Sequence, residues 1–182
     1  MRFTSAFNII GPLTRPCEQT NAIVIGAYSP TVCDQLIAIL KEIGIKRAIS
    51  PFGMVEGEDP SKGMDEFSTC GPTRVVELRD GEIQTYIVTP SDFGLKTRKF
   101  FEIMSGRNAQ ENSMRILNVL KGEFDTPDAD FFCMNAAVAL YICDMAKDLK
   151  QGVEMAKESI VNKRAMEKLE NLREMQGISI KR

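Results

Sequence analysis

The dipeptide Asp80-Gly81 stands between two β-rich runs, residues 73–79 and 82–89. Asp-Gly tolerates the positive φ angles of a two-residue turn whose twist matches that of the flanking strands, so this spacing predicts an antiparallel hairpin. Pro90 closes the second run. Upstream, the apolar residues 22–27 read as a buried strand, and Ser29 with Pro30 forms a helix start. Val32, Leu36, Ile39, Leu40 and Ile43 follow at helical spacing, Gly44 is the stop, and residues 46–50 form the next strand. Strand, helix and strand in this order imply a right-handed crossover between parallel strands. A parallel pair beside a hairpin predicts an α/β fold with a mixed, partly parallel sheet and flanking helices.

The glycine- and acid-rich residues 51–66 read as a loop. From Asn108 onward the pattern is helical. Asn108 and Glu111 have capping-box spacing, Met114, Leu117 and Leu120 form a stripe, and Gly122 ends it. Residues 130–149 read as a buried central helix, and residues 153–161 and 165–175 as two amphipathic ones. No repeat or linker interrupts the pattern, and 182 residues suit one domain over residues 1–182.

The chain contains no histidine, which removes imidazole bases, triads and imidazole metal sites from the available chemistry. A formal net charge of −2 offers no field for a nucleic acid backbone or an anionic membrane. The longest apolar stretch is broken by Asn135, so no membrane span is expected. The five cysteines include no CxxC pair and point to a reducing, cytoplasmic compartment. Cys133 and Cys143, in apolar helical sequence, read as buried free thiols. Met104, Met114, Met134, Met145 and Met155 read as core filling.

Three segments could carry chemistry. In Gly63-Met64-Asp65-Glu66-Phe67-Ser68, two adjacent carboxylates in a glycine-flanked turn can face a hard cation such as Mg²⁺, which takes one or two carboxylates plus water and phosphate. An acidic pair alone is more often a solvated turn. In Gly11-Pro12-Leu13-Thr14, glycine permits close backbone approach and proline stiffens the wall beside it. The segment lacks the Gly-Lys-Ser/Thr ending of a phosphate-binding P-loop, and residue type alone favours a structural turn. Asn135-Ala136-Ala137 reads as close packing with a buried amide that needs partners.

In sequence order these segments resemble the C-terminal two-thirds of anthranilate phosphoribosyltransferases. The resemblance rests on Phe7-Asn8-Ile9-Ile10-Gly11-Pro12-Leu13-Thr14, the acidic segment, Asp80-Gly81-Glu82-Ile83, Thr89-Pro90-Ser91-Asp92-Phe93-Gly94-Leu95 and Asn135-Ala136-Ala137-Val138-Ala139-Leu140. It implies the large α/β domain of the phosphoribosyltransferases related to nucleoside phosphorylases. It also implies transfer of phosphoribosyl from phosphoribosyl pyrophosphate (PRPP) to anthranilate in tryptophan biosynthesis. Asp65 and Glu66 match the family's Mg²⁺ carboxylates, and Gly11 and Pro12 match the loop lining its anthranilate channel. No catalytic side chain is carried over.

The family's small helical domain, glycine-rich pyrophosphate loop and Lys-His-Gly-Asn segment have no counterpart in these residues. The expectation is therefore a truncated domain without turnover in isolation. Alternatives are a split enzyme completed by a separate helical chain, or a non-catalytic nucleic-acid-binding relative, which the charge disfavours. Arg15 replaces the family's usual Asn, and Phe52 replaces a His that commonly precedes the acidic loop, which itself reads as lengthened around residues 53–62.

Overall fold

The computed structural model describes residues 11, 13 and 19–177. Its first half runs β1 (Ala22–Val24), α1 (Pro30–Glu42), β2 (Arg47–Met54), β3 (Gly63–Met64), β4 (Thr73–Arg79) and β5 (Glu82–Val88). A 3-10 turn (Pro90–Phe93) leads to α2 (Phe100–Ile103), α3 (Ala109–Leu120), α4 (Pro127–Ile142), α5 (Leu149–Val161) and α6 (Arg164–Met175). The sheet order is β1-β2-β4-β5, with β3 also on β2. β1 and β2 are parallel and the other pairings antiparallel, so the mixed sheet expected from sequence is the one observed.

The hairpin forms with Arg79 opposite Glu82. Asp80 and Gly81 take φ of 52° and 83°, both left-handed, as the turn requires. Side chains close four of these helix starts. Ser29 accepts from the Val32 N–H, Asn108 from Glu111, Thr126 from Ala129 and Asp148 from Gln151, each satisfying an amide without an intrahelical partner.

Strand alternation sends neighbouring residues to opposite faces, and both faces are covered. Ala48, Phe52, Val76 and Leu78 pack against Cys33, Leu36, Ile37 and Leu40 of α1. Ile49, Val75 and Val88 pack against Cys133, Met134, Ala137 and Val138 of α4, with α5 behind it. Burying these side chains at about 25 cal/mol per Å² of apolar surface is the main stabilising term.

Several boundaries differ from expectation. β2 continues through Pro51 to Met54, and β3 forms inside the expected loop. The carbonyls of Ile49 and Pro51 accept from Ile25 and Ala27 on the β1 side. In a strand the N–H of a residue points the same way as its C=O, so the donor Pro51 lacks faces the region beyond the end of β1. The ladder to β4 therefore survives the proline. α4 starts at Pro127 and stops at Ile142, because Asp144 adopts φ 56° and pairs with Arg47 and Arg79. That early stop leaves Cys143 exposed rather than buried.

Met134 is fully buried, but Met104, Met114 and Met145 are exposed. α3 buries only Val119 and stands off the sheet, so its stripe does not fill the core. Among the described residues no helix is long and apolar enough to cross a membrane.

α5 lies against α4 at Gly152, where a methyl group would stand 2.8 Å from both the Cβ and the carbonyl oxygen of Ala137. In an open helix Gly→Ala would stabilise by about 1 kcal/mol. Here the two backbones must separate, so Gly152→Ala is expected to lower stability by roughly 1–3 kcal/mol in urea denaturation.

Candidate functional site

The acidic turn sits at the carboxyl ends of the two parallel strands, where open α/β sheets usually bind ligands. Its seat is made of backbone. A methyl group on Gly26, just past β1, would stand 1.5 Å from the Asp65 carbonyl oxygen and 2.4 Å from its carbon. A methyl group on Gly53, near the end of β2, would stand 2.3 Å from the Glu66 carbonyl oxygen. No rotamer change relieves a collision with backbone, so only glycine allows the turn to lie this close.

The segment after the pair is tied down at each step. The Phe67 N–H donates to Asn135 Oδ1 at 2.9 Å, and Asn135 Nδ2 donates to the carbonyls of Phe67 at 3.2 Å and Phe131 at 3.0 Å. Ser68 N–H donates to Thr73 Oγ1 and Cys70 N–H to Ser68 Oγ. The Arg98 N–H donates to the Thr69 carbonyl at 2.7 Å, while its guanidinium grips the buried Asp130 of α4 at 2.5 and 2.8 Å. The Phe67 ring meets Phe93 edge-on, centroids 5.7 Å apart.

Asp65 and Glu66 themselves are exposed. The protein mass around the Glu66 carboxyl, and secondarily the charge on Asp65, push its pKa above the usual glutamate value. A cation would offset both effects. Among the described residues no group of three or more Cys, Asp or Glu converges as a metal cage. Two adjacent carboxylates with open surroundings suit Mg²⁺, which keeps waters and phosphate oxygens in its shell.

Burial raises the thiols of Cys33 and Cys70, and pushes Cys133 up to about 11, so none of the three is a thiolate nucleophile at neutral pH. Phe52 is fully buried on the α1 face with its ring against Gly63, and so belongs to the core. Gly11 is exposed, with open space where a side chain would stand. Pro12, Arg15 and Cys17 lie outside the described residues.

Gly26 and Asn135 emerge from the structure as supports of the turn. For Gly26 a signal existed, since an isolated glycine in a strand pattern marks close backbone approach. An apolar groove of about 880 Å³ between α3, α4, α5 and α6 shares no residue with the turn.

The profile of the glycosyl transferase family, a/b domain, matches residues 1–166. The chain is 37% identical over 172 residues to an anthranilate phosphoribosyltransferase of Thermoanaerobacter sp. (strain X514), covering 94% of this chain and 48% of that protein. It is 39% identical over 168 residues to one of Symbiobacterium thermophilum, covering 92% and 46%. The yeast (Saccharomyces cerevisiae) anthranilate phosphoribosyltransferase in complex with PRPP and Mg superposes with a TM-score of 0.77 at 28% identity, over 92% of this chain and 46% of that one. The enzyme of Thermus thermophilus gives 0.74 at 31%, over 91% and 46%. The chain thus spans about half the length of the relatives it matches. With its partly parallel sheet and acidic turn in place, it belongs to the glycosyl transferase family through that family's α/β domain.

Proposed function

We propose that this chain, as one α/β unit over residues 1–182, supplies the metal-binding half of a site that transfers phosphoribosyl from PRPP to anthranilate in tryptophan biosynthesis. Asp65 and Glu66 hold the Mg²⁺ that accompanies the diphosphate, and the loop of Gly11 and Pro12 lines the channel for the aromatic amine. Residues corresponding to the half of the relatives' length that this sequence does not match complete the site. The compartment is the cytoplasm. The observation that carries the reading is the acidic pair, seated on Gly26 and Gly53 at the ends of parallel strands. The yeast relative crystallised with PRPP and Mg supports it.

The chemistry asks little of side-chain acids and bases. The bond between ribose C1 and the diphosphate oxygen breaks with its electron pair going to the diphosphate, leaving an oxocarbenium-like sugar; the amine nitrogen forms the new bond to C1 and then loses one proton to the departed diphosphate or to water. Mg²⁺, when bound, supplies positive charge to the departing diphosphate. Asp65 and Glu66 contribute fixed negative charge at a rigid turn, and the closed site contributes orientation of amine and C1. A chain without histidine is compatible with all of this.

Joined to the corresponding N-terminal half of the Thermoanaerobacter relative, the chain is expected to consume anthranilate in a Mg²⁺-dependent reaction, followed by loss of anthranilate fluorescence. Alone it is expected to give no turnover. Asp65→Asn and Glu66→Gln in the joined protein should each lower kcat/KM about 100-fold, the scale for removing one preorganised electrostatic group. Unchanged kcat/KM in both variants would overturn the assignment.

The raised Glu66 carboxyl also links site to stability. Below the usual glutamate pKa the carboxyl is protonated in folded and unfolded chains alike and contributes no difference. As pH rises through that value, the unfolded chain ionises first, and stability falls until the folded carboxyl ionises as well. Glu66→Gln should therefore resist denaturant better than the parent at pH 7. The gain should shrink as pH is lowered through the glutamate range.

A further inference from the structure

The Glu66–Phe67 peptide is held at both ends of its plane. Its carbonyl oxygen rests on Gly53, where a methyl group would stand 2.3 Å away, and its N–H donates to Asn135 Oδ1 at 2.9 Å. Those atoms belong to one planar unit, and the preceding peptide is held where the Asp65 carbonyl rests on Gly26, so together the contacts restrict ψ of Glu66. Asn135 Nδ2 then holds the next carbonyl, that of Phe67, at 3.2 Å. Its second hydrogen goes to Phe131 O, one turn back in α4, at 3.0 Å. The amide has one orientation open to it. Reversed, Nδ2 would face the Phe67 N–H and Oδ1 would face two carbonyls.

Only one of the three Asn135 bonds, that to Phe131, lies within its own helix. The other two reach 68 residues back in sequence, to the residue directly after the acidic pair. We propose that Asn135 is the positioning residue of the acidic turn. By gripping the N–H and C=O of Phe67 it sets the direction in which the Glu66 carboxylate leaves the turn, and through that the affinity for a divalent cation with diphosphate. The proposal rests on the metal reading of Asp65 and Glu66 and adds a residue from α4, across the core, to that site.

The test compares the full chain with Asn135→Leu, which keeps the size of the side chain and deletes all three bonds. In amide exchange and ¹⁵N relaxation, the leucine variant should free Glu66 and Phe67, with Phe67 exchanging at least about tenfold faster, while Val75 and Val76 of β4 stay protected. Asn135→Asp retains the acceptor and deletes both donations. It serves if the leucine variant does not fold: the Phe67 amide should stay protected and Glu66 held, while the Phe67–Ser68 peptide, its carbonyl released, loosens. Glu66 and Phe67 as rigid in the leucine variant as in the parent, or a Phe67–Ser68 peptide unchanged in the aspartate variant, would overturn the proposal, as would loss of protection throughout the sheet.

A second arm titrates Mn²⁺ in the presence of inorganic pyrophosphate. Asn135→Leu should weaken Mn²⁺ binding about tenfold or more, the usual range for a residue that orients a ligand. It should add nothing in a Glu66→Gln background, because it acts through Glu66. Full additivity of the two losses would show a general structural role and overturn the proposal. A parent chain with no Mn²⁺ affinity would sink the metal reading instead, and the amide comparison would still decide whether Asn135 orients the turn.

Discussion

Two backbones meet at the end of the sheet with no side chain between them, and the geometry of the acidic turn depends on that contact. Gly26 and Gly53 let the carbonyls of Asp65 and Glu66 settle onto the strand ends. β1 stops at Val24, and the proline at position 51 in β2 offers no donor beyond it, so the ladder opens where the turn must enter. The same interruption that ends regular pairing makes room for the site. Burial on both faces supplies the rigidity, with α1 on one side and α4 backed by α5 on the other.

The opposite end of the sheet is closed by charge rather than by close approach. Arg47 and Arg79 share Asp144, Arg79 also donates to the buried Glu77 at 2.9 Å, and Tyr86 donates to the other Glu77 oxygen at 2.6 Å. Burial and the Glu77 charge drive the Tyr86 phenol well above its usual pKa, so it remains a donor. This network ties β2, β4 and β5 to the end of α4, the helix that also carries Asn135 and Asp130 to the acidic turn. α4 is therefore anchored at one end of the sheet and holds the loop at the other.

What could be seen in the sequence was local in origin. Asp80-Gly81, Ser29-Pro30, Asn108 with Glu111, and Gly44 each act within a few residues, and each produced the element its chemistry predicts. The acidic pair was visible as a candidate for the same reason. Its supports were not, because Asn135 joins Phe67 across 68 positions and a glycine's close contact is invisible without its partner. Pro51 misled because proline usually ends a strand, and only the side its nitrogen faces decides whether it does. The methionines misled because helical spacing identifies an apolar face and says nothing of whether another element covers it. Met114 on α3 is such a case.

Asn135 does for Phe67 what a neighbouring strand would do, offering one acceptor and one donor at peptide spacing. A carboxamide has no proton to gain or lose across the biological range. The two bonds by which Asn135 holds Phe67 are thus indifferent to acidity.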